Sequence, residues 1–71
     1  MLDGIHVLVQ CMNYIIESYW FRNNIHVSVI HEGKVVFDYE VENKDFVDNL
    51  VDELCDLVKH FDGEPIIVDN L

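Results

Sequence analysis

The 71-residue chain carries fourteen acidic side chains against four lysines and arginines, which gives a formal net charge of −10 at pH 7. This charge opposes direct binding to nucleic acid or to an anionic membrane, because both are themselves negative. The 51% content of hydrophobic residues argues against a disordered chain and predicts a single domain over residues 1–71.

The two cysteines and the start of the chain bear on the compartment. Cys11 and Cys55 are expected to be small buried side chains in a reducing compartment, with a disulfide between them as the alternative. The start carries Asp3 and lacks the basic residues of a secretory signal. No stretch of about twenty uninterrupted apolar residues is present. We therefore expect a soluble cytoplasmic protein with no membrane partner.

Residues 4–21 predict an amphipathic helix. Its polar side chains recur at i, i+4, i+7 and i+11 and would form one narrow stripe: His6, Gln10, Asn13 and Glu17. The competing interpretation is a strand through Ile5, Val7 and Val9, which are β-branched and alternate. The apolar remainder would cover roughly 260° of the helix, more than one sheet face can bury, so we expect a homodimer. The expected dimer interface is aromatic: Tyr14, Tyr19, Trp20 and Phe21.

Residues 25–41 predict a β-hairpin around Gly33. A two-residue loop of Glu32 and Gly33 would mix apolar and polar faces across the pair. A three-residue loop over residues 31–33 keeps one face apolar, so we predict the longer loop. The pairs that it predicts are Val29–Val35, Val27–Phe37 and Ile25–Tyr39.

Residues 44–61 carry the clearest helical pattern, with apolar side chains in a sector roughly 140° wide. Asn43 is a suitable N-cap, and Gly63 with Pro65 should end the helix. Residues 65–68 then predict a short third strand. The expected fold class is α+β, a small single domain of order α-β-β-α-β in which an antiparallel hairpin and a short third strand pack with two helices. The expected core contains Leu8, Ile15, Ile16, Val27, Val29, Val35, Phe37, Tyr39, Leu50, Leu54, Leu57, Val58, Phe61 and Ile67.

No motif in the sequence indicates catalysis. A glycine-rich phosphate loop, HExxH, CxxC and an activated serine or cysteine are all missing from it. His26 lies opposite Asp38 in the predicted hairpin, with His31 and Glu40 nearby, but no ligand spacing is specific for a metal. A surface pair of His26 and Asp38 is the simpler interpretation. We therefore expect a binding protein that is not an enzyme and needs neither metal nor cofactor.

Carboxylates are regularly spaced in the second half of the chain. Asp48, Asp52 and Asp56 recur at i, i+4, where each pair of like charges destabilises a helix by roughly 0.2–0.5 kcal/mol. Successive helix acids lie about 6 Å apart along the axis, and alternate acids of the second hairpin strand about 6.5–7 Å apart. Both intervals are close to the spacing of phosphates along a nucleic-acid strand. The expected partner-binding residues are Asp38, Glu40, Glu42, Asp45, Asp48, Asp52, Glu53 and Asp56.

In size, charge and layout of acids, the chain resembles small phage-encoded inhibitors that imitate nucleic acid, among them anti-CRISPR and anti-restriction proteins. The residues that carry this resemblance are Asp38, Glu40, Glu42, Asp45, Asp48, Asp52 and Asp56. It implies a non-enzymatic inhibitor that presents carboxylates in place of phosphates to a basic, nucleic-acid-handling protein. Two alternatives stay open. In the first, the acids serve only solubility. In the second, the chain is a homo-oligomeric regulatory or adaptor module that works through the apolar surface of the first helix.

Overall fold

A computed structural model describes residues 12–71, which form a four-stranded mixed sheet and one helix. The elements are β1 (Asn13–Phe21), β2 (Asn24–His31), β3 (Lys34–Val41), a 3-10 turn (Lys44–Phe46), α1 (Val47–His60) and β4 (Glu64–Asn70). The spatial order of the strands is β3-β2-β1-β4. β1, β2 and β3 are antiparallel neighbours, whereas β4 runs parallel to β1. The chain thus crosses from one edge of the sheet to the other through α1.

The expected order α-β-β-α-β and the expected first helix are wrong for the described residues. Residues 13–21 form β1, whose sequence is rich in the β-branched and aromatic residues that favour strands. β1 lies between β2 and β4, so both of its edges are hydrogen-bonded. Most of its residues are at least half-buried, whichever face they lie on, so the apolar and polar residues do not alternate as in a half-buried strand. The predictions for residues 5–10, including Leu8, and for Cys11 lie outside the described residues.

The predicted hairpin is present, but its loop and register are wrong. β2 and β3 are joined by a two-residue turn in which Glu32 and Gly33 have φ values of 53° and 75°, as a type I′ turn requires. A β-bulge then leaves Val36 without a direct partner in β2. The bulge brings the apolar residues back into line, which a regular two-residue hairpin could not do. The observed pairs are Ile25–Val41, Val27–Tyr39, Val29–Phe37 and Ile30–Val35.

The predicted long helix and third strand are confirmed. Asn43 caps the 3-10 turn by accepting a hydrogen bond from the backbone N–H of Asp45 at 2.9 Å. α1 ends at His60, and the N–H of Gly63 donates to the carbonyl of Val58 at 3.0 Å. The left-handed residue at this end is Asp62, with φ 58°. Gly63 instead allows the ring of Tyr14 to pack closely against the backbone.

The core lies between α1 and the middle of the sheet. α1 packs on β1, β2 and β4 and leaves the same face of β3 largely uncovered. Phe37 and Tyr39, expected in the core, therefore stay 37% and 39% exposed. The buried core consists of Ile16, Ile25, Val27, Val29, Val41, Val47, Val51, Leu54 and Val58.

The predicted core is partly right. Leu50 and Leu57 pack against the buried core, and Ile15 is half-buried on the sheet face away from α1. The expectation was wrong for Val35, Phe37, Tyr39, Phe61 and Ile67, all of which are exposed. Val35 is exposed because the two-residue turn pairs it with Ile30, which lies on the face away from α1.

Candidate functional site

The eight predicted partner-binding acids are all exposed, but they lie on two sides of the molecule. Asp38 and Glu40 pair with Ser28 and His26 on the sheet face away from α1. The acids of α1 lie on the other side of the sheet. Glu42 and Asp45 belong to the connection between β3 and α1 and lie between the two groups. The eight acids therefore do not form one continuous surface.

Asp48, Asp52 and Asp56 form a straight row on α1, called here the helix row. At 100° per residue they lie roughly 100–180° from the buried Val47, on the flank toward β4. Glu53 lies about 100° further round than Asp52 and so outside the row. Among residues 12–71, the only ion-pair contact joins His26 of β2 to Asp38 of β3. The acids of the helix row thus form no ion pair within residues 12–71, although Lys59 lies near Asp56 at the end of α1.

A hydrogen-bond network holds Asp38 on the opposite sheet face. The hydroxyl of Ser28 donates to Oδ1 of Asp38 at 3.1 Å, and Nδ1 of His26 lies 3.4 Å from the same oxygen. Since Ser28 has only one proton to give, the hydroxyl of Tyr19 donates to Ser28 Oγ, at 2.9 Å. Ser28 bonds to the carboxylate and not to the imidazole, which is not the geometry of an activated nucleophile. The predicted contact of His26 with Asp38 is present, although it runs diagonally because His26 pairs with Glu40.

Glu17 is an acid of this sheet face that is not among the predicted partner-binding residues. It pairs directly with Ser28, whose other neighbour is Asp38, so the two acids flank one residue. Its Oε2 accepts a hydrogen bond from Nδ2 of Asn70 at 3.0 Å. The sequence had placed Glu17 on a helical stripe. Only the assignment of residues 13–21 to a strand could have revealed its neighbours.

A cleft of about 360 Å³, called here the acidic cleft, lies between the start of α1 and strands β1 and β4. Three carboxylates line it, those of Asp45, Asp48 and Asp69, together with Lys44 and the hydroxyl-bearing Ser18. Its remaining walls are apolar. Two of its acids were predicted to bind a partner. Ser18 and Asp69 were missed because they meet only through the parallel pairing of β1 with β4, where they are direct partners.

The four residues expected at a dimer interface do not share a surface. In β1, Tyr14 and Trp20 lie on the side of α1, whereas Tyr19 and Phe21 lie on the other side. The ring of Tyr14 stacks on His31, with centroids 3.9 Å apart and an interplanar angle of 5°, and is half-buried. Trp20 and Phe21 are each 52% exposed. The single helical surface expected for these residues is wrong, because they alternate along a strand. The homodimer itself stays a prediction.

Comparison with models of known protein families, with curated proteins and with solved structures finds no match for this chain. Within residues 12–71, no group of three or more His, Cys, Asp or Glu side chains is placed to hold a metal ion. The helix of this region is also too short and too polar to cross a membrane.

Proposed function

We propose that this protein is a non-enzymatic inhibitor of a basic, nucleic-acid-handling protein, to which it presents carboxylates in place of phosphates. The type is that of the anti-CRISPR and anti-restriction inhibitors that imitate nucleic acid. The observation that carries the proposal is the helix row of Asp48, Asp52 and Asp56. These are exposed, stand one turn apart, and have no ion-pair partner among residues 12–71.

The helix row is unfavourable for the isolated protein, which supports a role in binding. Each i, i+4 pair of like charges destabilises the helix by a few tenths of a kcal/mol. A surface that needs only solubility can mix lysines among its acids at no such cost. A groove lined with lysine and arginine would relieve the repulsion and gain charge-assisted hydrogen bonds. Attraction of this kind speeds association and weakens as salt is added.

The test compares two variants that remove the same number of charges. The row variant carries Asp48→Asn, Asp52→Asn and Asp56→Asn. The control variant carries Glu32→Gln, Asp62→Asn and Glu64→Gln, which are exposed acids outside α1. Circular dichroism establishes that both variants keep the fold.

A partner is first captured from a lysate at about 50 mM salt and eluted with a gradient to about 500 mM. Its binding to nucleic acid is then measured with each variant present. We expect the wild type and the control variant to inhibit this binding, and the row variant to lose inhibition. Equal inhibition by the row and control variants, or capture that is indifferent to salt over this range, contradicts the proposal.

A further inference from the structure

The acidic cleft draws its carboxylates from two elements that are far apart in the chain. Asp45 lies in the 3-10 turn that leads into α1, Asp48 lies in the first turn of α1, and Asp69 comes from β4. Lys44 lines the same cleft but makes no ion pair with any acid of residues 12–71. Acids at the start of a helix offset the positive end of its dipole. Asp69 has no such role, so the cleft keeps an excess of negative charge.

Ser18 provides an independent sign that the cleft is built for a ligand. The residue is only 3% exposed, and it lines the cleft. None of the side-chain hydrogen bonds among residues 12–71 involves the hydroxyl of Ser18. No side-chain polar atom of residues 12–71 is both fully buried and without a hydrogen-bond partner, so the Ser18 hydroxyl opens into the cleft. Its hydroxyl is thus available to a group that enters the cleft.

The lining determines the chemistry of that group. Carboxylates and a hydroxyl oxygen call for a positively charged ligand with several N–H donors. The acids of this region are not grouped closely enough to hold a metal ion. The apolar walls include Val51 and Ile67, which suit an aliphatic stem. An arginine side chain has this form, because its planar guanidinium carries five donors and can bridge carboxylates on two sides.

We propose that the acidic cleft receives one arginine side chain of the partner, with its guanidinium between Asp48 and Asp69. This inference rests on the proposed function, since the arginine belongs to the basic protein that is inhibited. Asp48 is shared by the cleft and the helix row. An arginine seated in the cleft therefore fixes where the row lies along the partner's groove.

The direct test uses N-acetyl-arginine methylamide as the probe, followed by amide chemical shifts of the labelled full chain. Its uncharged isostere, the citrulline derivative, is the control ligand. We expect the arginine probe to bind at about millimolar concentration and to shift the amides of Ser18, Asp48 and Asp69. The citrulline derivative should bind at least about fivefold more weakly. Equal binding of the two ligands, or shifts spread along the helix row, overturns the proposal.

Two variants locate the site. Asp69→Asn removes one cleft carboxylate, and its amide oxygen can still accept the hydrogen bond that Asp69 Oδ1 takes from the N–H of Leu71 at 2.9 Å. Asp56→Asn is the matched control, because it removes one charge from the helix row outside the cleft. We expect Asp69→Asn to weaken probe binding about threefold to fivefold and Asp56→Asn to change it less than about twofold. Equal effects of the two variants contradict the assignment.

The inhibition assay separates this inference from the proposed function. Asp69→Asn is expected to weaken inhibition of the captured partner. Full inhibition by Asp69→Asn, together with loss of inhibition in the row variant, overturns the cleft proposal and leaves the proposed function standing. Full inhibition by the row variant overturns the proposed function, and probe binding then decides whether the cleft recognises a guanidinium.

Discussion

Replacement of Asp52 by asparagine should stabilise this protein, because Asp52 is the middle member of the helix row. It has a like-charged neighbour one turn away on each side, Asp48 and Asp56. At roughly 0.2–0.5 kcal/mol per pair, relief of both repulsions gives about 0.4–1 kcal/mol. Asp52 lies beyond the first turn of α1, so little favourable interaction with the helix dipole is lost. Aspartate and asparagine also have similar helix propensities.

The measurement is thermal unfolding followed by circular dichroism at low and high salt. For a domain of this size, the gain corresponds to a rise in Tm of about 2–8 °C. In about 1 M salt the Debye length falls to about 3 Å, and the rise should vanish. Glu64→Gln is the control, since it removes the same charge from an exposed residue of β4. If both variants shift Tm equally at low salt, repulsion within the row is not the cause and the reasoning fails.

Three further substitutions test the packing, the thiol and the turn. Gly63→Ala should destabilise the protein by about 1–3 kcal/mol in urea unfolding, because its Cβ would lie 2.6 Å from Cδ1 and Cε1 of Tyr14. This loss should become clearly smaller in a Tyr14→Ala background, where only the 3.0 Å contact of the added Cβ with Cγ1 of Val58 remains, and an undiminished loss there would refute the clash with Tyr14. Burial raises the pKa of the Cys55 thiol, and nearby carboxylates raise it further against the opposing charge of a lysine. In a Cys11→Ser background, alkylation of Cys55 should therefore need a higher pH in the folded than in the urea-unfolded chain. The free energy of unfolding should fall as the pH rises above the pKa that the Cys55 thiol has in the unfolded chain. Glu32→Asn should stabilise the turn by about 0.5–1 kcal/mol, because asparagine adopts a φ of 53° more readily than glutamate does; a lower Tm contradicts this.

The features that sequence reasoning predicted correctly depend on local contacts. The long helix and the helix row follow from the spacing of residues three or four apart, and Asn43 caps the 3-10 turn that leads into the helix. The hairpin also follows from local signals. The register of the hairpin does not follow from local signals. The alternation of apolar and polar residues indicated a three-residue loop, whereas the structure has a two-residue turn and the bulge at Val36 supplies the extra residue.

The features that were missed depend on pairing between distant segments. Residues 13–21 resemble a helix in the spacing of Asn13 and Glu17, yet they form a central strand because neighbours on both sides supply their hydrogen bonds. The acidic cleft requires Ser18 to lie beside Asp69, fifty-one positions later in the sequence. No periodicity within one element carries that information.

The parallel pairing of β4 with β1 imposes an order of assembly on the chain. β1, β2 and β3 are consecutive and are joined by short turns, so they can pair while later residues are still being synthesised. One side of β1 stays without a neighbour until β4, the final described element, has arrived on the far side of the helix. During this interval its open backbone can capture an identical strand from another nascent chain. Premature termination before Glu64 is therefore expected to yield aggregates, and crowded polysomes are where this protein would be most vulnerable.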